Sequence, residues 1–211
     1  MINIQDITIS YGSKKTVQHL TYKVNKGERI VLTGASGSGK TSLLNALLGF
    51  IPLSSGKINM FGQELDSKNL PGIRKRTAFL PQEVNFSYTR AKDIFMEPFQ
   101  FRANKEHTPE QQEIETLFQQ LHLPASSIEK NFDELSGGQK QRILLASVLL
   151  LKKEIILLDE PTKGLDEITT RAVIEQFFSD PRVTIIAASH HREWIHRSDK
   201  TLNIEQYGSN A

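Results

Sequence analysis

The sequence predicts an α/β fold with a mostly parallel sheet, and three stretches carry that prediction. Ile30-Val31-Leu32 is a short apolar run followed by Gly34-Ala35-Ser36-Gly37-Ser38-Gly39-Lys40-Thr41, and then by Leu43, Leu44, Leu47 and Leu48 at helical spacing. Ile155-Ile156-Leu157-Leu158 is a second apolar run, ending in Asp159-Glu160, and Val183 to Ser189 is a third, ending at His190. Runs that are apolar at every position or, as in Val183 to Ser189, at all but Thr184 and Ser189, mark strands covered on both faces, as parallel strands are.

The other elements follow in order. Ile2, Ile4, Ile7 and Ile9 alternate with polar residues, with a slip near Asp6, and predict a half-buried strand. Tyr11-Gly12-Ser13 reads as a turn and Leu20-Thr21-Tyr22-Lys23-Val24 as a second strand, so an antiparallel β subdomain opens the chain. Asn25-Lys26-Gly27-Glu28 turns it into the strand before the glycine-rich loop. Pro52 and Ser54-Ser55-Gly56 break the chain after the loop helix, and Lys57 to Gly62 predicts a short strand ending in a turn. Ala78-Phe79-Leu80, stopped by Pro81, is another strand, with Gln82 at its tip.

From about residue 83 to 140 the pattern turns helical. Ile94, Phe95, Phe99 and Phe101 form an aromatic-rich stretch broken by Pro98. Thr108-Pro109-Glu110-Gln111 predicts a helix start, with Thr108 as cap and Pro109 at the first position, continuing through Ile114, Leu117, Phe118 and Leu121. Leu135-Ser136-Gly137-Gly138-Gln139 then leads into a helix running through Leu151, and Thr201 to Ile204 reads as an edge strand. The expected organisation is one domain over residues 1–211: a core of 1–82 and 141–211, with a helical subdomain of about 83–140 inserted.

Composition narrows the partners. A net charge of +2 demands neither nucleic acid nor an anionic membrane, and Arg74-Lys75-Arg76 reads as solvated surface. The absence of cysteine excludes disulfides, thiol catalysis and thiolate metal sites. The N-terminus lacks the layout of a secretory signal, and the apolar stretch Ile143 to Leu151 is too short to cross a bilayer. The chain is expected to be cytoplasmic, reaching any membrane through a partner.

The chemistry sits at the strand ends. Gly34 to Thr41 reads G-x-x-x-x-G-K-[ST], and strand, loop and helix together aim backbone N–H groups and a helix N-terminus at one point, which suits phosphate. In such a loop the lysine, Lys40, reaches the β/γ end of a nucleotide and Thr41 holds Mg²⁺. Asp159 suits Mg²⁺ held through water, and Glu160 suits polarising an attacking water. In an open α/β sheet the ligand lies beyond the carboxyl ends of the strands, where His190 is also delivered. Gln82 either ligates Mg²⁺ through its carbonyl oxygen or is a solvated loop residue. Tyr11 either fills a strand end or stacks on a base. Ser136-Gly137-Gly138-Gln139 forms a second helix start suited to an anion, with no second set of acids.

The ordered set of Tyr11, Gly34 to Thr41, Gln82, Leu135 to Gln139, Ile155 to Glu160, Gly164-Leu165-Asp166 and His190 resembles the ATP-binding cassette (ABC) ATPases over essentially the whole chain. The resemblance implies a RecA-like P-loop NTPase core, ATP and Mg²⁺ as cofactors, and ATP hydrolysis. It makes Tyr11 the adenine-stacking residue, Gly34 to Ser42 the ATP-binding loop, and Thr41, Gln82 and Asp159 the metal set. Glu160 becomes the catalytic base, His190 the switch histidine and Asp166 the D-loop aspartate; Lys163-Gly164 departs from the family's usual Ser-Ala. It also implies a head-to-tail dimer, homodimeric or with a similar subunit, in which Leu135 to Gln139 of one protomer closes over ATP held by the other.

Transport is the leading expectation, through a separate transmembrane permease docked near Phe86, Tyr88, Phe95 and Phe99, with no nucleic acid; Phe95 and Phe99 are otherwise the small core of the helical subdomain. Glu97 to Asn104, Leu121 to Pro124 and Asn131 to Leu135 resemble the iron-export type. The alternative is a soluble single-cassette ATPase serving assembly of a non-membrane complex.

Overall fold

The computed structural model describes residues 1–11, 14–84 and 89–208, apart from the side chains of Tyr11, Lys14, Lys15 and Glu106. Ile2, Ile4, Ile7 and Ile9 are all buried on strand β1 (Ile2–Tyr11), although Ile4 and Ile7 stand three apart rather than two. Asp6, at φ 48°, absorbs the extra residue, and the register with strand β2 (Lys14–Val24) shifts there. β2 has a matching irregularity at His19, φ 52°, which brings Val17 and Leu20 into the same core. The two bulges meet: His19 Nδ1 lies 2.9 Å from Asp6 Oδ1, and the Asp6 N–H donates to Thr21 Oγ1 at 3.0 Å. The predicted second strand begins at Leu20; the observed one begins at Lys14, its first half being polar and its period broken by the bulge.

Strand β3 (Arg29–Thr33) leads into helix α1 (Lys40–Leu47). Strand β4 (Ser55–Met60) then pairs with β1, and a turn through Phe61 (φ 56°) and Gly62 (φ 79°) returns the two-residue strand β5 (Gln63–Glu64). Two left-handed residues in succession are what a tight hairpin requires. The resulting antiparallel sheet has the order β2-β1-β4-β5. Helix α2 (Leu70–Lys75), which the sequence pattern did not announce, precedes strand β6 (Thr77–Leu80). Two of the three residues of the basic cluster are committed internally. Arg74 donates to Leu48 O at 2.9 Å and lies 4.8 Å from the Phe50 ring centroid. Arg76 lies 3.6 Å over Phe61 and donates to both Glu154 oxygens, at 2.6 and 2.9 Å.

The helical region comprises α3 (Ala91–Gln100), α4 (Gln111–Gln120) and α5 (Gly137–Leu150), with short 3₁₀ turns between. Pro98 does not break α3: it stands in the last turn, and the helix ends at Gln100. The cap of α4 is Glu110 rather than Thr108. The Glu110 N–H donates to Glu113 Oε2 at 3.2 Å, while Thr108 Oγ1 donates backwards to Lys105 O at 3.1 Å. Phe95 and Phe99, which the sequence left open between docking residues and the subdomain's own core, are 0% and 2% exposed. Their rings stand 5.9 Å apart, and Phe95 meets Phe118 edge-on at 5.7 Å. They are core, not a free surface. α5 runs through residue 140 without a break.

Strand β7 (Ile155–Asp159), helix α6 (Glu167–Phe177), strand β8 (Thr184–Ala188), helix α7 (Arg192–Arg197) and strand β9 (Lys200–Asn203) complete the second sheet. It is fully parallel in the order β6-β7-β8-β3-β9, with β9 at the edge as predicted. The period of two along each strand divides its side chains between two cores. Val31, Ile156, Leu158, Ile185 and Ala187 pack with the helices and Trp194; Ile30, Leu32, Ile155, Leu157, Ile186 and Ala188 pack with α1 and the antiparallel sheet. Burial on both faces explains the unbroken apolar runs.

The edge strand is tied to the turn before β3 by Lys200 Nζ and Glu28 Oε1, 2.8 Å apart. The Lys200 ammonium, with Asn25, holds the Glu28 carboxyl down at about 2 from 4.5. A carboxyl lowered on folding stabilises above its unfolded value and loses that contribution as pH falls from about 4.5 to about 2. Glu28→Gln should therefore be less stable than the parent near pH 6 and indistinguishable from it near pH 2. Urea titrations of both at the two pH values check this; a constant gap would show the pair is not its source.

Candidate functional site

Four parallel strands end at one cavity of about 410 Å³, lined by Ser36, Gly37, Gly39, Lys40, Thr41, Ser42, Gln82, Asp159, Glu160, Lys163 and His190. β3 supplies the glycine-rich loop, β6 leads to Gln82, β7 ends in Asp159 and leads to Glu160, and β8 leads to His190.

The loop must be glycine where it crosses β2. Gly39 stands at φ 106°, and a Cβ there would lie 2.8 Å from Val17 Cγ2 and 3.0 Å from Thr16 O. The same residue precedes α1 and starts it, so the loop's exit direction is fixed by the antiparallel sheet. Lys40 is buried at 8% exposure and folds back, its Nζ donating to Gly34 O at 2.6 Å and Ala35 O at 3.0 Å. Ser38 Oγ is buried without a hydrogen-bond partner, an atom that a ligand in the loop would satisfy.

Thr41 Oγ1 donates to Asp159 Oδ2 at 2.7 Å, and Asp159 is 2% exposed. Glu160 takes a left-handed backbone, φ 48°, and its N–H donates to Ala188 O at 2.9 Å. A non-glycine residue pays roughly 1–3 kcal/mol for such a conformation, and here it turns the chain out of the strand into the cavity wall. Glu160 Oε1 lies 3.8 Å from His190 Nε2. A hydroxyl, a carboxylate and the Gln82 amide within one cavity make an all-oxygen set suited to Mg²⁺, which binds through one or two carboxylates plus phosphate oxygens. Among the described residues no cluster of three or more His, Asp or Glu offers a metal cage.

Other predicted residues lie elsewhere. Leu135 to Gln139 do not line the cavity. Ser136 caps α5 instead: its Oγ accepts from the Gln139 N–H at 3.2 Å, and its N–H donates to Gln139 Oε1 at 3.0 Å. Leu135 is buried, and Gly137 faces open space. A Cβ on Gly138 would touch Leu165 Cδ2 at 3.4 Å, so this helix start abuts the turn after Glu160. Asp166 caps α6, accepting from the Thr169 N–H and Oγ1 at 2.8 and 3.0 Å; these bonds hold its carboxyl below the ordinary value. The side chain of Tyr11, and Phe86 and Tyr88 entirely, lie outside the described residues.

Two contacts went unread in the sequence. Glu205 accepts a hydrogen bond from the Ala35 N–H, tying the turn after β9 to the first peptide of the loop. Lys163 lines the cavity beside Glu160. Nothing in the polar tail announced the first; the second follows only from the three-residue turn after the carboxylates.

The fold and this cavity define a P-loop nucleoside triphosphatase. A family model described as ABC transporter matches residues 17–163. An ABC transporter ATP-binding protein of Archaeoglobus fulgidus is 33% identical over 196 residues, 90% of this chain and 80% of that protein. The iron export ATP-binding protein FetA of Escherichia coli is 26% identical, over 98% of this chain and 92% of its own length. Longer relatives contain a similar cassette as a part: the chain spans 36% of a Vibrio cholerae ATP-dependent lipid A-core flippase, at 29% identity. Among solved structures, a dimeric ATP-binding cassette in a post-hydrolysis state with ADP and Pi superposes with a TM-score of 0.81 at 21% identity, over 97% of this chain and 95% of that one. The chain belongs to the ABC transporter family, and it is an ATPase of the ATP-binding cassette type.

Proposed function

We propose that this chain is the energy-supplying subunit of a membrane transporter, working as a head-to-tail dimer that drives a separate permease. The observation that carries the reading is the division of the site. The phosphate loop and carboxylates share one cavity, while the Leu135 to Gln139 helix start lies outside it. A second copy related by a twofold axis supplies the missing half, and each site then closes over ATP.

In this reading the Gly34 to Ser42 loop holds the phosphates, Lys40 leaves the loop carbonyls for the β/γ end, and Tyr11 stacks on the base. Thr41, Asp159 and Gln82 would hold Mg²⁺, which would supply positive charge against the phosphates. Glu160 takes the proton of the attacking water, oriented with His190, and the partner's Ser136 to Gln139 backbone faces the developing charge. Loss of the bridging γ-phosphate releases the dimer. No helix among the described residues is long and apolar enough to cross a membrane. Export of a metal ion such as iron is the proposed transport reaction, supported by the likeness to the Escherichia coli protein over nearly its whole length.

The test is purification of the tagged chain from native membranes. Recovery of a multi-span protein whose presence stimulates ATP turnover is expected. Recovery of a soluble scaffold alone would overturn the transport reading.

A further inference from the structure

Lys163 stands on a turn whose backbone is held from several sides. Its N–H donates to Glu160 O at 3.2 Å, and the Leu165 N–H donates to Thr162 O at 3.2 Å. Gln141 Nε2 donates to Pro161 O at 2.8 Å, and the buried Trp194 indole N–H donates to Thr162 Oγ1 at 3.2 Å. The ammonium itself is unengaged: Lys163 is exposed and its side chain forms no hydrogen bond or ion pair with any described residue, and the residue is part of the cavity lining together with Glu160 and His190. Lys40, the cavity's other lysine, bonds two loop carbonyls here and moves to the β/γ end in the reading above, so Lys163 acts in addition to it. The two acids nearby are partly engaged, Asp159 with Thr41 and Glu160 beside His190. In the nucleotide reading Glu160 and His190 mark the γ-phosphate end, and a free cation on a held turn three residues beyond Glu160, in the same lining, is suited to meet the extra charge that distinguishes a triphosphate from a diphosphate.

We infer that Lys163 sets the preference of this site for ATP over ADP, as a binding residue for the terminal phosphate. The inference rests on the nucleotide site proposed above. A point charge on a flexible stem near the surface contributes through Coulomb attraction, weakened by solvent and salt.

The test is titration of the full chain with ATP and with ADP, in EDTA so that neither turns over. Lys163→Met keeps the stem and removes the charge. It should weaken ATP binding by about tenfold and ADP binding by less than about threefold, and Lys163→Arg should keep the parent's ratio. The ATP-to-ADP ratio of Lys163→Met should also depend less on salt than the parent's. An unchanged ratio, or equal loss of both nucleotides, overturns the assignment. Lys40→Ala in the same titrations separates the two levels. If it binds ATP as the parent does, the cavity is not the nucleotide site and both readings fall. If it binds weakly while Lys163→Met keeps its ratio, the Lys163 inference alone falls.

Discussion

Glu160→Gln should lower ATP turnover by about 10²- to 10⁴-fold while leaving nucleotide binding close to that of the parent. The substitution keeps the shape of the side chain and removes its capacity to accept a proton from water. It leaves the positioning intact, because the hydrogen bond from the residue's N–H to Ala188 O belongs to the backbone. The phosphate loop and the Thr41–Asp159 contact are likewise untouched. Binding then proceeds to a closed state that cannot discharge, so dimers should accumulate with ATP. Turnover measured by phosphate release, with dimer content by size-exclusion chromatography, reads both halves. Turnover within a factor of a few of the parent would show that another group takes the proton.

Phe95→Ala should destabilise the fold by about 3–5 kcal/mol, the cost of deleting a fully buried phenyl ring. Phe95 is 0% exposed, packs on Phe99 and Phe118, and its carbonyl accepts a hydrogen bond from the buried Ser147 hydroxyl at 2.8 Å. That bond survives truncation, so the loss reports packing. Because α3, α4 and α5 share this ring cluster, the cavity cannot close by a small local shift. Chemical denaturation of parent and variant measures the difference. A loss of permease stimulation with unchanged stability would instead restore Phe95 to the docking face and contradict its burial.

The site was legible in the sequence where chemistry is local in the chain. Gly34 to Thr41 announces itself because a backbone cradle needs glycines and a cation at fixed spacing, and Asp159-Glu160 because an apolar strand must end where its acids begin. His190 and Gln82 gained meaning only from the strands before them, and the parallel order of the sheet then brought all four ends to one cavity. Other features were hidden for identifiable reasons. α2 is six residues long and contains Pro71 and Gly72, too short and too poor in helix formers to show a period. The first half of β2 was masked by a bulge that breaks alternation. Phe95 and Phe99 show an apolar spacing, but spacing cannot say what covers it. The Glu205 contact to the loop spans 170 positions of sequence and has no local signal.

The abutment of the α5 start against the turn after Glu160 has a mechanical consequence. The stretch from Ser136 to Asp166 runs from the start of α5, which in the proposed dimer faces a neighbour, through α5 and β7, to the acids of its own cavity and the turn beyond them. Gln141 grips Pro161 O across the middle, and Gly138 rests on Leu165. In the proposed dimer, the helix start that meets a partner's phosphate is thus joined by a hydrogen bond and a packing contact to the turn that follows the acids of its own site. Each hydrolytic station therefore touches the other through this one piece of chain.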